Sequence, residues 1–279
     1  MPGATTTVTV EAAGELLETQ PTFHTDVDRR WFDRIPLESQ SSSISSLVTL
    51  ASPGIAADSN GLFHGMGDHA ENSFSVDGQP ITDQQSKVFS NQIPLNSVQS
   101  LEVIAGAPPA EYGGKTSVVI NVATRSGQGV SPPHGNVTAG SSSCGFELGY
   151  GGQKWGNFIA AGGLNTSRFL DPPEFTVMHA KGNQENLFDR VDYQFSAANS
   201  VHLNLGFTRS WFQNPNSYDQ QLHPGLVNPV TGSPLGPTDQ RSQIKTVNVA
   251  PTWTDLISSS SVLTFGGFFR QDRYNVSFR

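Results

Sequence analysis

The chain has 279 residues and a formal net charge of −8, from 16 Lys plus Arg against 24 Asp plus Glu. Only 14% of positions are charged, against about 25% in an average soluble domain, and 28 Gly with 18 Pro disfavour a helical bundle or coiled coil. The lack of clustered Lys and Arg argues against nucleic acid as a partner, and the single cysteine, Cys144, excludes a disulfide framework and a Cys-based zinc site.

No apolar run is long enough for a membrane helix, but a spanning strand needs only about nine to eleven residues. Met1 to Val10 carries neither a basic nor an apolar signal region, so export requires a signal peptide beyond this chain. Thr7-Val8-Thr9-Val10 is a short β-prone run. Val27, Trp31 and Ile35 recur at helical spacing, which predicts a helix from Asp26 to Ile35, ended by Pro36. Ser46 to Leu50 is a second short helix. Ser73 to Val76 alternates as a strand into the turn signal Asp77-Gly78. Val98 to Ile104 and Val118 to Val122 complete an α+β pattern over residues 1 to about 130.

After Gly127-Gln128-Gly129 and Pro132-Pro133 the pattern becomes long and alternating. Cys144, Phe146, Leu148 and Tyr150 share one face. Val191, Tyr193 and Phe195 oppose Arg190, Asp192 and Gln194, and Val201, Leu203, Leu205 and Phe207 oppose His202, Asn204 and Thr208. Ile244 to Asp255, interrupted by Pro251, and Ser261 to Phe269 are less strict. Connections alternate: Gln153–Gly156 short, Thr166–Asn183 long, Ser196–Ser200 short, Phe212–Gln240 long, Ser258–Ser260 short. Short turns on one side and long loops on the other mark an outer-membrane barrel. About seven strands are expected, too few to close one, since bacterial barrels have even strand numbers.

The first half carries Val76-Asp77-Gly78, then Ile93-Pro94 through Leu101-Glu102-Val103-Ile104-Ala105-Gly106, then Ala110-Glu111-Tyr112-Gly113-Gly114, then Val118 to Val122 closing with Thr124-Arg125-Ser126-Gly127. This string resembles the plug domain of TonB-dependent outer-membrane receptors, in particular the branch that handles glycans or peptides and often carries a carboxypeptidase-regulatory-like module. The resemblance implies an α+β plug followed by antiparallel all-β strands of an incomplete transmembrane β-barrel, of about twenty-two strands when complete. It divides the chain into an extended segment at 1–20, a plug at 21–130 and the start of the barrel at 131–279. Within the plug motif, Asp77, Gly78, Ile104, Gly106, Glu111, Tyr112, Gly113 and Gly114 are expected to be structural: Asp77-Gly78 as a hairpin turn, and Glu111 to Gly114 as a site of close packing.

By the same resemblance, Thr7, Val8, Thr9 and Val10 are similar to the TonB box, which adds as a strand to a TonB-type partner in the periplasm. The other reading is the last strand of an upstream module or a frayed terminus. Many relatives have Arg-Gly before the Asp-Gly turn, where this chain has His64-Gly65-Met66-Gly67-Asp68-His69, so a plug-to-barrel ion pair from that loop is not expected. Two histidines in a Gly-rich loop are read as loop residues, with no metal site and no cofactor. Neither a nucleophile elbow nor a phosphate loop appears, so an enzyme is not expected. The implied function is energised uptake of an oligosaccharide, peptide or siderophore across an outer membrane, in contact with its lipid. The alternative is a non-transporting surface or adhesive scaffold with the same fold, and a soluble periplasmic binding module is disfavoured by the strand pattern.

Overall fold

The computed structural model describes residues 23–32, 34, 43–57, 63–65, 72–81, 90–105, 112, 117–170, 177–216, 225, 227–228, 230–233 and 238–278. The Thr7–Val10 segment and Gly106, Glu111, Gly113 and Gly114 lie outside them, as do Asp68 and His69.

The N-terminal unit runs β1 (Phe23–Asp28), α1 (Arg29–Phe32), α2 (Ser43–Ala51), β2 (Ile55–Ala57), β3 (Phe63–Gly65), β4 (Asn72–Val76), β5 (Gln79–Ile81), β6 (Val98–Ala105) and β7 (Val118–Thr124). Five of these strands form a mixed sheet in the order β1-β6-β7-β4-β5, parallel only between β4 and β7, while β2 and β3 pair separately. Alternation puts Val27, Leu101, Val103, Ile120, Val122, Phe74 and Val76 on one face. Ile44, Leu47 and Val48, one stripe of α2, pack into the same core.

The helix expected from Asp26 to Ile35 is instead a strand followed by one turn of helix. Phe23 to Asp28 pairs residue for residue with Ala105 to Ser100, and this ladder overrides the local spacing. The helix begins only at Arg29, where Asp28 Oδ1 accepts from Arg30 N at 2.9 Å, as an N-cap does. Phe32 is buried, whereas Trp31 is exposed.

The rest of the chain is one antiparallel sheet: β8 (His134–Ala139), β9 (Ser143–Gly151), β10 (Trp155–Thr166), β11 (Gly182–Gln194), β12 (Asn199–Gln213), β13 (Gln240–Ser258), β14 (Ser261–Gly266) and β15 (Phe269–Phe278). Residues 152–154, 195–198 and 259–260 turn at one end, and 167–181 and 214–239 cross at the other. The expected seven strands become eight segments because β14 and β15 both pair with β13, collinearly. Pro251 does not interrupt β13, which pairs with β12 through Leu203↔Pro251. Its carbonyl accepts from Gly267 N at 3.0 Å. A residue's N–H and C=O point to the same side of a strand, so the missing donor of Pro251 faces the gap between β14 and β15, which is where the neighbouring ladder breaks.

The inner face of this sheet buries polar side chains beside the apolar Phe158, Phe188, Phe212 and Ile244, while the outer face exposes large apolar ones. Ser210 and Ser242 are 1% exposed, while Phe207 is 43% and Leu187 48% exposed. The inner row also buries Gln184, Asp192, Asn204, Thr208, Thr246 and Thr252, and the outer row exposes Phe146, Val191, Tyr193 and Val247. A spanning barrel has this pattern, apolar outside and polar within.

Candidate functional site: the seam between the two sheets

The mixed sheet meets the polar inner face of the long sheet along a seam of hydrogen bonds and ion pairs. Its centre is the β4–β5 turn. Asp77 and Gly78 have φ of 48° and 79°, the two positive values of a type I′ hairpin, which Asp-Gly adopts readily. The turn is thus the expected hairpin, and its side chain is also a junction. Asp77 Oδ1 accepts from Thr124 N at 2.9 Å, and Oδ2 accepts from Thr124 Oγ1 and Asn204 Nδ2, both at 2.6 Å, and from Arg190 Nη1 at 3.3 Å.

Arg190 also donates to Thr124 Oγ1 at 2.9 Å, and its Nε donates to Asp192 Oδ1 at 2.9 Å. Asp192 Oδ2 in turn accepts from Ser126 Oγ at 2.6 Å. One guanidinium between two carboxylates therefore ties the turn, the end of β7 and the wall together. The second negative charge is held by neutral donors from Thr124, Ser126 and Asn204, the additional hydrogen bonds that a buried ion pair requires.

Three further contacts extend the seam. Gln79 and Asn248 exchange amide hydrogen bonds at 2.8 and 3.1 Å. Asn91 Nδ2 donates to Thr246 Oγ1 at 2.9 Å and to the carbonyls of Thr208 and Ile244 at 3.2 and 3.3 Å. Arg125 pairs with Glu147 at 2.6 Å and lies over the Phe158 ring at 4.3 Å, with Arg29 3.5 Å from the same carboxylate. A cavity of about 50 Å³ among Asn91, Asn204, Thr208, Thr246 and Asn248 remains in the seam. Its lining is mixed, with the apolar side chains of Val76, Ile81, Ile93 and Phe188 beside those polar groups.

Beyond β7 the backbones touch. A Cβ on Gly127 would stand 1.9 Å from Asn157 O, and one on Gly156 2.0 Å from Gln128 N, so only glycine permits this approach.

At the opposite end the two long crossings meet. Met178 and Asn216 form an isolated bridge. Phe169 stacks on Phe212 at 5.2 Å, and Asp239 accepts from Gln213 at 2.8 Å. The Arg241 guanidinium, hydrogen-bonded to Asp239, holds that carboxyl below its ordinary range.

The structure brings Asp77 and Gly78 into the seam. It buries Ile104 within β6 and leaves Tyr112 beside Asn121, whose Nδ2 donates to the phenol oxygen at 2.9 Å. Plug-to-wall ion pairs do exist, from Asp77 to Arg190 and from Arg125 to Glu147, while residues 66–69 lie outside the described residues. Alternation along β12 puts Asn204 on the face toward the plug, where the structure has it, but sequence reasoning did not join it to Asp77 and missed Arg190, Asn91, Asn248 and Glu147. Its one signal was that β11 shows Arg190 and Asp192 on the face away from Val191 and Tyr193.

Residues 37–118 match the family model described as the TonB-dependent receptor plug domain. A curated relative, the TonB-dependent transporter Oar of Myxococcus xanthus, is 30% identical over 145 residues, covering 46% of this chain and 13% of that protein. Among solved structures, the alcaligin outer-membrane receptor FauA of Bordetella pertussis aligns with a TM-score of 0.66 at 13% identity, over 93% of this chain and 40% of that one. The ferric yersiniabactin uptake receptor FyuA of Yersinia pestis aligns at 0.62 and 16%, over 92% and 42%. The chain thus spans less than half the length of these proteins. It consists of a TonB-dependent receptor plug domain joined to antiparallel strands with the fold of the opening part of a TonB-dependent receptor barrel.

Proposed function

We propose that this chain is the plug and first wall of an outer-membrane receptor that takes up a ligand using energy delivered by a TonB-type protein to the segment before β1. The observation that carries this reading is the chemistry of the seam. The plug is fastened to the wall by amides, hydroxyls and ion pairs, with the large apolar core inside the plug and only a small apolar cluster, Phe158, Ala160 and Phe188, on the facing wall. Water replaces such partners when the plug moves, so each exchange costs about 0.5–1.5 kcal/mol net for the neutral contacts and about 1.5–3 kcal/mol for those to a charged group. An apolar seam of the same area would resist displacement. The outward apolar rows of β9 to β13 supply a lipid face. The ligand belongs to the classes such receptors carry, a siderophore, an oligosaccharide or a peptide, and meets the long crossings at 167–181 and 214–239. In this reading Thr7 to Val10 is the strand offered to the partner.

The test uses outer-membrane vesicles carrying the full-length receptor and a purified TonB C-terminal domain. Val8→Pro removes a ladder donor and fixes φ, and should abolish binding, while Val8→Thr should retain it. Equal binding by the proline variant would refute the assignment of this segment.

A further inference from the structure

We propose that His24, Asp26 and Glu102 form a site for a divalent first-row transition-metal ion on the polar face of the plug sheet. In the antiparallel β1–β6 pair, Asp26 stands directly opposite Glu102, and His24 follows two residues away on the same face. Two carboxylates in direct cross-strand register repel one another, and a cation between them turns that repulsion into ligation. The ligating atoms of the three side chains lie within 4.8 Å of one another, with His24 Nε2 3.6 Å from Asp26 Oδ2. A metal held about 2.0–2.2 Å from each donor needs donor separations of roughly 3–3.5 Å, which small side-chain rotations reach.

The neighbouring strands orient the set. Glu102 Oε2 accepts from Asn121 Nδ2 at 2.9 Å, and Asn121 Oδ1 accepts from Ser75 Oγ at 2.6 Å. This row across β6, β7 and β4 fixes one carboxylate oxygen of Glu102. Supporting hydrogen bonds of this kind position metal ligands. Asp26 is exposed, so the ion enters from solvent and water fills its remaining positions. One imidazole with two carboxylates suits manganese through zinc better than calcium or magnesium, which take oxygen alone. Bound there, the ion cross-links the edge strand β1 to β6.

The experiment titrates the full-length receptor, folded in detergent micelles, with Zn²⁺ and Co²⁺, followed by calorimetry and by the visible absorption of cobalt. The expected result is one saturable equivalent. His24→Gln, Asp26→Asn and Glu102→Gln should each weaken binding at least tenfold, while His64→Gln and Cys144→Ser leave it unchanged. Asp26→Asn lies at an exposed edge position and relieves the carboxylate repulsion, so it keeps its fold and serves as the deciding variant. Absence of saturable binding, wild-type affinity in Asp26→Asn, or an equal loss in His64→Gln would overturn the site. Calcium binding as tight as zinc binding would overturn the metal class.

Discussion

Asp77→Asn isolates the charge at the centre of the seam. Asparagine keeps the size of the side chain and tolerates the positive φ of this turn, so the hairpin should survive. What changes is the acceptor set: four donors from Thr124, Asn204 and Arg190 converge on the carboxylate, and an amide offers one oxygen with an NH₂ aimed at the remaining donors. A hydrogen bond to a charged group contributes about 1.5–3 kcal/mol, and breaking a buried ion pair costs about 3–5 kcal/mol when it strands the partner. Arg190 is not stranded, because Asp192 stays 2.8 Å from its Nη2. Plug docking should therefore weaken by about 2–4 kcal/mol, below the full cost of a broken buried pair. Hydrogen-exchange mass spectrometry of the full-length receptor reads this directly, as faster exchange in the peptides covering 72–81 and 117–126 with little change in the β9–β10 hairpin. Protection within a factor of two of wild type in both peptides would show that the Asp77 junction does not hold the plug.

Gly127→Ala and Gly156→Ala each force a methyl group into backbone across the seam, an overpacking cost of at least about 1–3 kcal/mol; assembly of the full-length protein, followed by heat-modifiable gel mobility, should fall in both. Leu205→Arg places a charge on the outer face of β12 and should cost about 2–4 kcal/mol near the bilayer midplane, visible as a reduced folded fraction in liposomes, whereas the same change in a water-exposed sheet would be tolerated. The Asp28 carboxyl is held below its ordinary range by hydrogen bonding to the Arg30 guanidinium. Its contribution is thus present above the unfolded pKa of about 3.9 and lost as pH falls through the lower folded value, so the stability difference between wild type and Asp28→Asn should vanish in acid and be constant near neutrality.

Much of the wall was legible because a strand needs only alternation, and Val201 to Thr208 display it without interruption. The Asp77-Gly78 turn was equally plain, since two positive φ values in succession leave few residue choices. The junction built on Asp77 was not legible, because Arg190 and Asn204 lie 113 and 127 positions away and only the closed seam brings them together. β1 was misread for a related reason: Val27 and Trp31 satisfy a helical spacing locally, and the strand exists only through its ladder with β6. Pro251 was read as a break in its own strand, while its missing donor acts one strand over, between β14 and β15.

The edge position of β1 sets how the plug answers a mechanical load. Its rungs run from Phe23↔Ala105 to Asp28↔Ser100, so traction on residue 22 away from the sheet reaches them one at a time, and the force needed is that of a single rung rather than of the whole ladder. Among the described side chains of β1 only Val27 is buried, so the rungs from His24 to Asp26 part with little loss of apolar contact. Resistance rises where Val27 faces Leu101. The strand thus resists least before Val27, and a pull that passes Asp28 loads α1, where Arg29 is tied to Glu147 of the wall and to the Leu95 carbonyl.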